Sequence, residues 1–318
     1  MLTEKEHNIH VNAKTYVGGD QMFALFTQSK ATYDVVVVDP EYLHKLHVAN
    51  RLSPLNAADY DFSQYYEPFH KLPMCWIDGE LFAVVVRFGV NGLVYNTERL
   101  TYEDVKSYQI LWDPKVKGKV GVQDWYLLTM GNISKALGNE NPYDITDEGL
   151  RALEQRLRDL RPQLAGIYTT PPEILSAFAN EEIWVVQTGG EFVVRTLKQQ
   201  GEPIDWTVPQ EGGTMWIETL VVPNDAPHPD TARLFIQWAQ TAEAQALLVR
   251  RRAYASNAPN KGVLKLLPQA DLEILKTRDE MSTLELIRSL SIRRLPQNQT
   301  EAEWQRVWEE FKQMQPQE

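Results

Sequence analysis

Apolar and polar positions alternate from Ile9 to Val17, with Ile9, Val11, Ala13, Thr15 and Val17 on one side and His10, Asn12, Lys14 and Tyr16 on the other. A period of two predicts a half-buried strand. Gly18-Gly19-Asp20 breaks it, and Met22, Phe23, Leu25 and Phe26 open a helix with Asp20 as the candidate cap. Tyr33 to Val38 ends in the continuous β-branched run Val35–Val38, the pattern of a parallel strand covered on both faces. Asp39-Pro40-Glu41 then supplies an N-cap residue followed by proline at the first helical position. Strand, helix, strand, helix is the rhythm of a parallel α/β sheet.

The same rhythm continues. Leu81 to Val94 predicts one or two strands, broken around Phe88-Gly89-Val90-Asn91-Gly92. Lys119 to Val122, Ile183 to Gln187 and Trp216 to Val222 read as further strands. Helices are predicted over 127–137, from Asp147 to Leu160 through Leu150, Leu153 and Leu157, and over 174–178, 192–199, 230–251 and 301–313. No internal repeat or low-complexity linker interrupts the chain.

A chain of 318 residues suggests two globular units. With 43% hydrophobic residues it has enough apolar side chains for a sizeable core. The formal charge of −11 gathers no phosphates and argues against a nucleic-acid-coating role. The apolar runs Val35 to Val38 and Leu81 to Val86 fall far short of the roughly 20 residues that cross a bilayer. Cys75 is alone, so no intrachain disulfide and no CxxC motif exists.

Few residues suggest catalysis. His7 and His10, and His44 and His47, are one turn apart, but no third metal ligand accompanies them, and a solvated helix face explains them better. There is no Gly-x-Ser-x-Gly, no Walker A and no dinucleotide fingerprint, so the chain reads as no enzyme, with neither metal nor cofactor. Aromatic and charged residues at strand ends are more informative. Trp216 and Glu218 are two apart, which on a strand points them the same way. An aromatic face with a carboxylate suits an amine, though a core Trp beside a surface acid fits the spacing equally well. Asp124-Trp125-Tyr126 falls between a strand end and a helix, where α/β proteins bind ligands. Arg87 precedes the Gly89–Gly92 stretch and suits either an anionic ligand or an internal acid such as Glu218.

These residues lie in stretches with a family likeness. Tyr33 to Val38, Phe88 to Asn96, Trp112 to Asp124, Gln187-Thr-Gly-Gly-Glu191, Glu211 to Glu218, Val221 to Ala226, Ala232 to Trp238 and Tyr254-Ala-Ser-Asn257 resemble, in order, the family 1 extracellular solute-binding proteins. Within that family the chain is most similar to the spermidine/putrescine-binding branch of ABC importers. The resemblance implies a type II periplasmic-binding-protein-like α/β fold, with two lobes joined by hinge strands and ligand trapped between them. Lobe one is then 1–88 and 217–258, and lobe two 89–216 and 259–318. Trp216 matches the branch's stacking Trp, Glu218 stands where it has an amine-holding Asp, and Tyr254 matches a cleft Tyr. Elsewhere the chain departs: Trp125 and Leu128 stand at acid positions, Gln187 at a second stacking Trp, and Asp39 and Glu41 near a Ser/Tyr pair. The implied ligand-binding set is Asp39, Arg87, Asp124, Trp125, Tyr126, Gln187, Trp216, Glu218 and Tyr254.

The implied function is that of an ABC importer's substrate-binding component, capturing a small polar, amine-containing, polyamine-like solute. Its implied partners are that solute and a membrane permease, with no nucleic acid, and the receptor itself is a monomer. The compartment implied is periplasmic or extracellular, although Met1-Leu-Thr-Glu-Lys-Glu-His7 carries no signal peptide. Leu2 to Glu6 matches only the tail of the family's first helix, so the N-terminal strand of lobe one is expected to be missing. A cytosolic or sensor-linked ligand-binding domain on the same fold is the alternative.

Overall fold

The computed structural model describes residues 9–16, 18–28, 32–251 and 255–314. Its strands are β1 (Val36–Val38), β2 (Leu52–Ser53), β3 (Trp76–Ile77), β4 (Glu80–Leu81), β5 (Val84–Asn96), β6 (Val120–Gln123), β7 (Leu164–Tyr168), β8 (Val185–Gly189), β9 (Ile204–Thr207), β10 (Gly213–Pro223) and β11 (Leu290–Ile292). The chain divides into two units. Unit 1 comprises Met1–Phe88, Ile217–Arg250 and Asn257–Asp271, and unit 2 comprises Gly89–Trp216, Arg251–Ser256 and Leu272–Glu318. Both β5 and β10 run through a boundary, at 88/89 and 216/217. Residues 257–271 group with unit 1, where the resemblance implied one change of lobe at 258/259.

In unit 1, β1 lies antiparallel to β10, from Val36 opposite Val221 to Val38 opposite Thr219. The expectation of a parallel strand is thereby corrected. An apolar run reports burial and carries no information about direction, which the partner 181 residues away decides. Residues 9–16 take no regular secondary structure, against the predicted strand, whose last residue Val17 lies outside the described residues, as do Leu2 to Glu6. Alternation supplies two faces, but a strand also needs a ladder partner. The core of unit 1 includes Leu43, Leu46, Tyr65, Phe69, Val84, Phe88, Val221 and Ile236, all buried. Through it runs a polar relay: Tyr65 Oη donates to the Val85 carbonyl at 2.7 Å and accepts from Gln245 Nε2 at 2.9 Å. Gln245 Oε1 in turn accepts from the Asn260 amide at 3.0 Å.

In unit 2, β5 pairs antiparallel with both β8 and β9, while β6 lies parallel between β7 and β8. Leu93, Val120, Val122 and Val185 share one core with the helices Tyr126–Ala136, Asp147–Leu160 and Glu301–Gln313. Val90, Val94 and Val186 share another with Pro171–Ala179 and Gly190–Gln199. The Leu150, Leu153, Leu157 and Leu160 stripe is buried as its spacing requires, and Thr146 caps that helix through the Gly149 amide.

β5 runs 13 residues without the predicted break. Its glycines serve close packing. A Cβ on Gly92 would lie 2.4 Å from the Thr207 carbonyl oxygen, and one on Gly89 2.2 Å from both Trp216 and Glu191. The long helix expected over 230–251 is two helices, Pro229–Ala239 and Ala242–Val249, the second capped by Thr241 through the Ala244 amide.

Candidate functional site

Along β5 and β10 every residue is buried except one in each, Arg87 and Glu218. These two are partners. Arg87 Nε donates to Glu218 Oε2 at 2.6 Å and Nη2 to Oε1 at 2.8 Å, a two-pronged pair with side chains 15% and 16% exposed. Of the alternatives that Arg87's position left open, the structure shows the internal acid. Asp39 belongs to the same end of the unit 1 sheet. It follows Val38, whose partner Thr219 adjoins Glu218 and donates its hydroxyl to the Val38 carbonyl at 2.7 Å. Asp39 also occupies the N-cap position of the turn Pro40–Tyr42, though its side chain makes no capping bond there.

In unit 2 the Asp124–Tyr126 segment joins β6 to the Tyr126–Ala136 helix, and the C-terminal part of the chain engages all three residues. Asp124 accepts from Trp308 Nε1 at 2.8 Å and pairs with Lys312 Nζ at 3.2 Å. The Arg293 guanidinium, on a residue buried to 1% exposure, lies 4.0 Å from the centre of the Trp125 ring. Tyr126 Oη donates to Glu301 at 2.8 Å. Gln187 is fully buried on β8. Its Nε2 donates to the Thr129 carbonyl at 3.0 Å, and its Oε1 has no hydrogen-bond partner. Leu128, at an expected acid position, is buried apolar surface.

Trp216 is 3% exposed and packs over Gly89, so in this conformation its ring is part of the interior of unit 2. Tyr254 lies outside the described residues. The structure thus gathers Asp39, Arg87 and Glu218 in unit 1, and in unit 2 ties Asp124, Trp125, Tyr126 and Gln187 to the 126–136 helix and the C-terminal residues.

Sequence reasoning missed Glu191 as a functional candidate. The residue is fully buried, and both its carboxyl oxygens face the Val90 amide, at 3.0 and 3.2 Å. Burial raises its pKa to about 8. It shares with Trp216 the space above Gly89. The signal available was the Gly189-Gly190-Glu191 triplet at a strand-to-helix junction.

Two other chemistries find no support. Burial pushes the Cys75 thiol up to about 12, so it stays un-ionised near neutral pH and is a poor nucleophile. Among the described residues no three His, Cys, Asp or Glu side chains come together to hold a metal ion. A groove of about 720 Å³ in unit 2 is walled by Pro171, Pro172, Leu175, Phe192 and Thr196 and is lined by no charged residue, which suits it poorly to a charged solute.

Comparison with known proteins identifies the family and the fold. Residues 3–271 match the family described as bacterial extracellular solute-binding protein. The spermidine/putrescine-binding periplasmic protein of Escherichia coli K12 is 24% identical over 276 residues, covering 83% of this chain and 74% of its own. A putative spermidine/putrescine ABC transporter structure from Listeria monocytogenes superposes with a TM-score of 0.80 at 23% identity, over 98% of this chain and 94% of that one. The binding protein MotA of Agrobacterium tumefaciens, in complex with glucopine, superposes with a TM-score of 0.75 at 16% identity, over 98% and 93%. The fold is that of periplasmic-binding proteins, and the chain belongs to the bacterial extracellular solute-binding protein family.

Proposed function

We propose that this protein is the substrate-binding component of an ABC import system and captures a small polar, amine-containing solute. The single observation that carries the reading beyond family membership is the Arg87–Glu218 pair. It forms the one charged interruption in two otherwise buried strands, and each of its members sits within two residues of the point where its own strand passes from one unit to the other. A charge pair kept in such surroundings costs desolvation that an apolar pair avoids, which favours a recognition role over a purely structural one.

The partners of this reading are the solute and a membrane permease. The receptor acts as a monomer outside the cytoplasm and carries out no chemistry. Among the described residues no helix is long and apolar enough to cross a membrane.

The test is a thermal-shift screen of polyamines, amino acids and quaternary amines. A bound solute at 100 times its Kd adds about 2.7 kcal/mol of stability and raises Tm accordingly. At least one compound is expected to give a saturable rise. A flat response across all three classes contradicts the reading.

A further inference from the structure

In each unit, groups suited to receive a ligand ammonium already hold a cation of the chain itself. In unit 1 the Glu218 carboxylate is held by Arg87 through two hydrogen bonds. In unit 2 the Asp124 carboxylate is held by Lys312, and the Trp125 face by the Arg293 guanidinium. Leu128 adds no charge. A polyamine needs a carboxylate or an aromatic face for each of its charges, and here these partners are shared with arginine or lysine.

The energetics follow from Coulomb's law. An ammonium placed against Glu218 also sits beside the Arg87 guanidinium. Two like charges 4 Å apart repel by about 4 kcal/mol at an effective dielectric constant of 20, close to what the carboxylate returns. A second ammonium brought to the same pair meets the same cancellation. A molecule carrying one ammonium and one carboxylate gains on both halves of the ion pair, because each end meets the opposite sign.

We propose that the solute is a zwitterion, a small aminocarboxylate, and that the Arg87–Glu218 pair selects it over a polyamine. This deepens the solute-receptor reading and rests on it. Arg87 is then a specificity-determining residue, converting an amine position into a two-charge reader.

The test is titration of the full chain with matched probes: putrescine and spermidine against 5-aminopentanoate, which keeps putrescine's four methylenes and exchanges one ammonium for a carboxylate, together with the common α-amino acids. The expected result is that at least one aminocarboxylate binds roughly tenfold or more tighter than either polyamine, a difference of about 1.4 kcal/mol. Arg87→Gln, which leaves Glu218 without its cation, is expected to shift that preference about tenfold toward putrescine. Arg87→Lys keeps the charge and the wild-type order, and circular dichroism checks the fold of both. Tighter binding of putrescine or spermidine by the wild-type protein overturns the zwitterion proposal and leaves the solute-receptor reading standing. Binding of no probe from either class counts against both.

Discussion

Arg87 and Glu218, 131 residues apart in sequence, close a two-bond ion pair at the sole non-buried position of each of the two longest strands. Removing one partner strands the other charge in a largely apolar setting. Arg87→Met is therefore expected to destabilise the protein by about 3 kcal/mol, the lower end of the range for a buried pair, since both side chains keep some solvent contact. The double variant Arg87→Met/Glu218→Gln is expected to recover a good part of that loss. Denaturant unfolding of the four proteins in a double-mutant cycle measures it, and strict additivity of the single effects contradicts the coupling.

Glu191 links stability to pH. Its carboxyl is raised from 4.5 to about 8 by burial, so between those values the folded protein binds a proton that the unfolded chain has released. Stability then falls as pH rises from about 4.5 to about 8, by an amount on the order of 3–5 kcal/mol. Glu191→Gln keeps an acceptor for the Val90 amide and has no proton to lose. It is expected to match the wild type near pH 5 and to exceed it above pH 8, with a flatter Tm profile across the window. Parallel profiles for the two proteins would remove this role from Glu191.

Gly89 lets β5, Trp216 and Glu191 approach one another. Gly89→Ala places a methyl group where the indole ring and the carboxyl oxygen now lie, and overpacking of this kind costs about 1–3 kcal/mol. Because Trp216 must move, its near-ultraviolet circular dichroism should change with the stability, and an unaltered signal would contradict the close approach at Gly89.

Tyr65→Phe breaks the unit 1 relay by leaving the Val85 carbonyl and the Gln245 amide without their buried partner. The expected cost is about 1–3 kcal/mol by thermal or urea unfolding. A neutral result would mean that water or a rearranged Gln245 satisfies both groups.

Local signals made much of the fold legible. The 147–160 and 301–313 helices match their predicted bounds because stripe, cap and stop agree: Thr146 and Thr300 cap their first turns, and Pro162 lies just beyond Leu160. Where the reading failed, the deciding partner was distant in sequence. The alternation from Ile9 onward found no ladder, the Val36–Val38 run paired antiparallel with β10, and Gly89 and Gly92 made room for Trp216 and Thr207 instead of a turn. The candidate site shows the same limit. Arg87, Asp124 and Trp125 were conspicuous as residue types at strand ends. Their occupation by Glu218, Lys312 and Arg293 depends on segments 131 to 188 residues away in the first two cases and on the C-terminal residues in the third.

Binding of a small solute through Arg87 and Glu218 is open to direct measurement by calorimetric titration. The wild type and the charge-free double variant Arg87→Gln/Glu218→Gln are titrated with the strongest hit of the thermal-shift screen, after circular dichroism shows both folded. The expected result is saturable one-to-one binding by the wild type and a loss of roughly tenfold or more in the variant, the effect of removing charge-assisted hydrogen bonds. Equal affinity in the two proteins, or no saturable heat with the wild type, would contradict it.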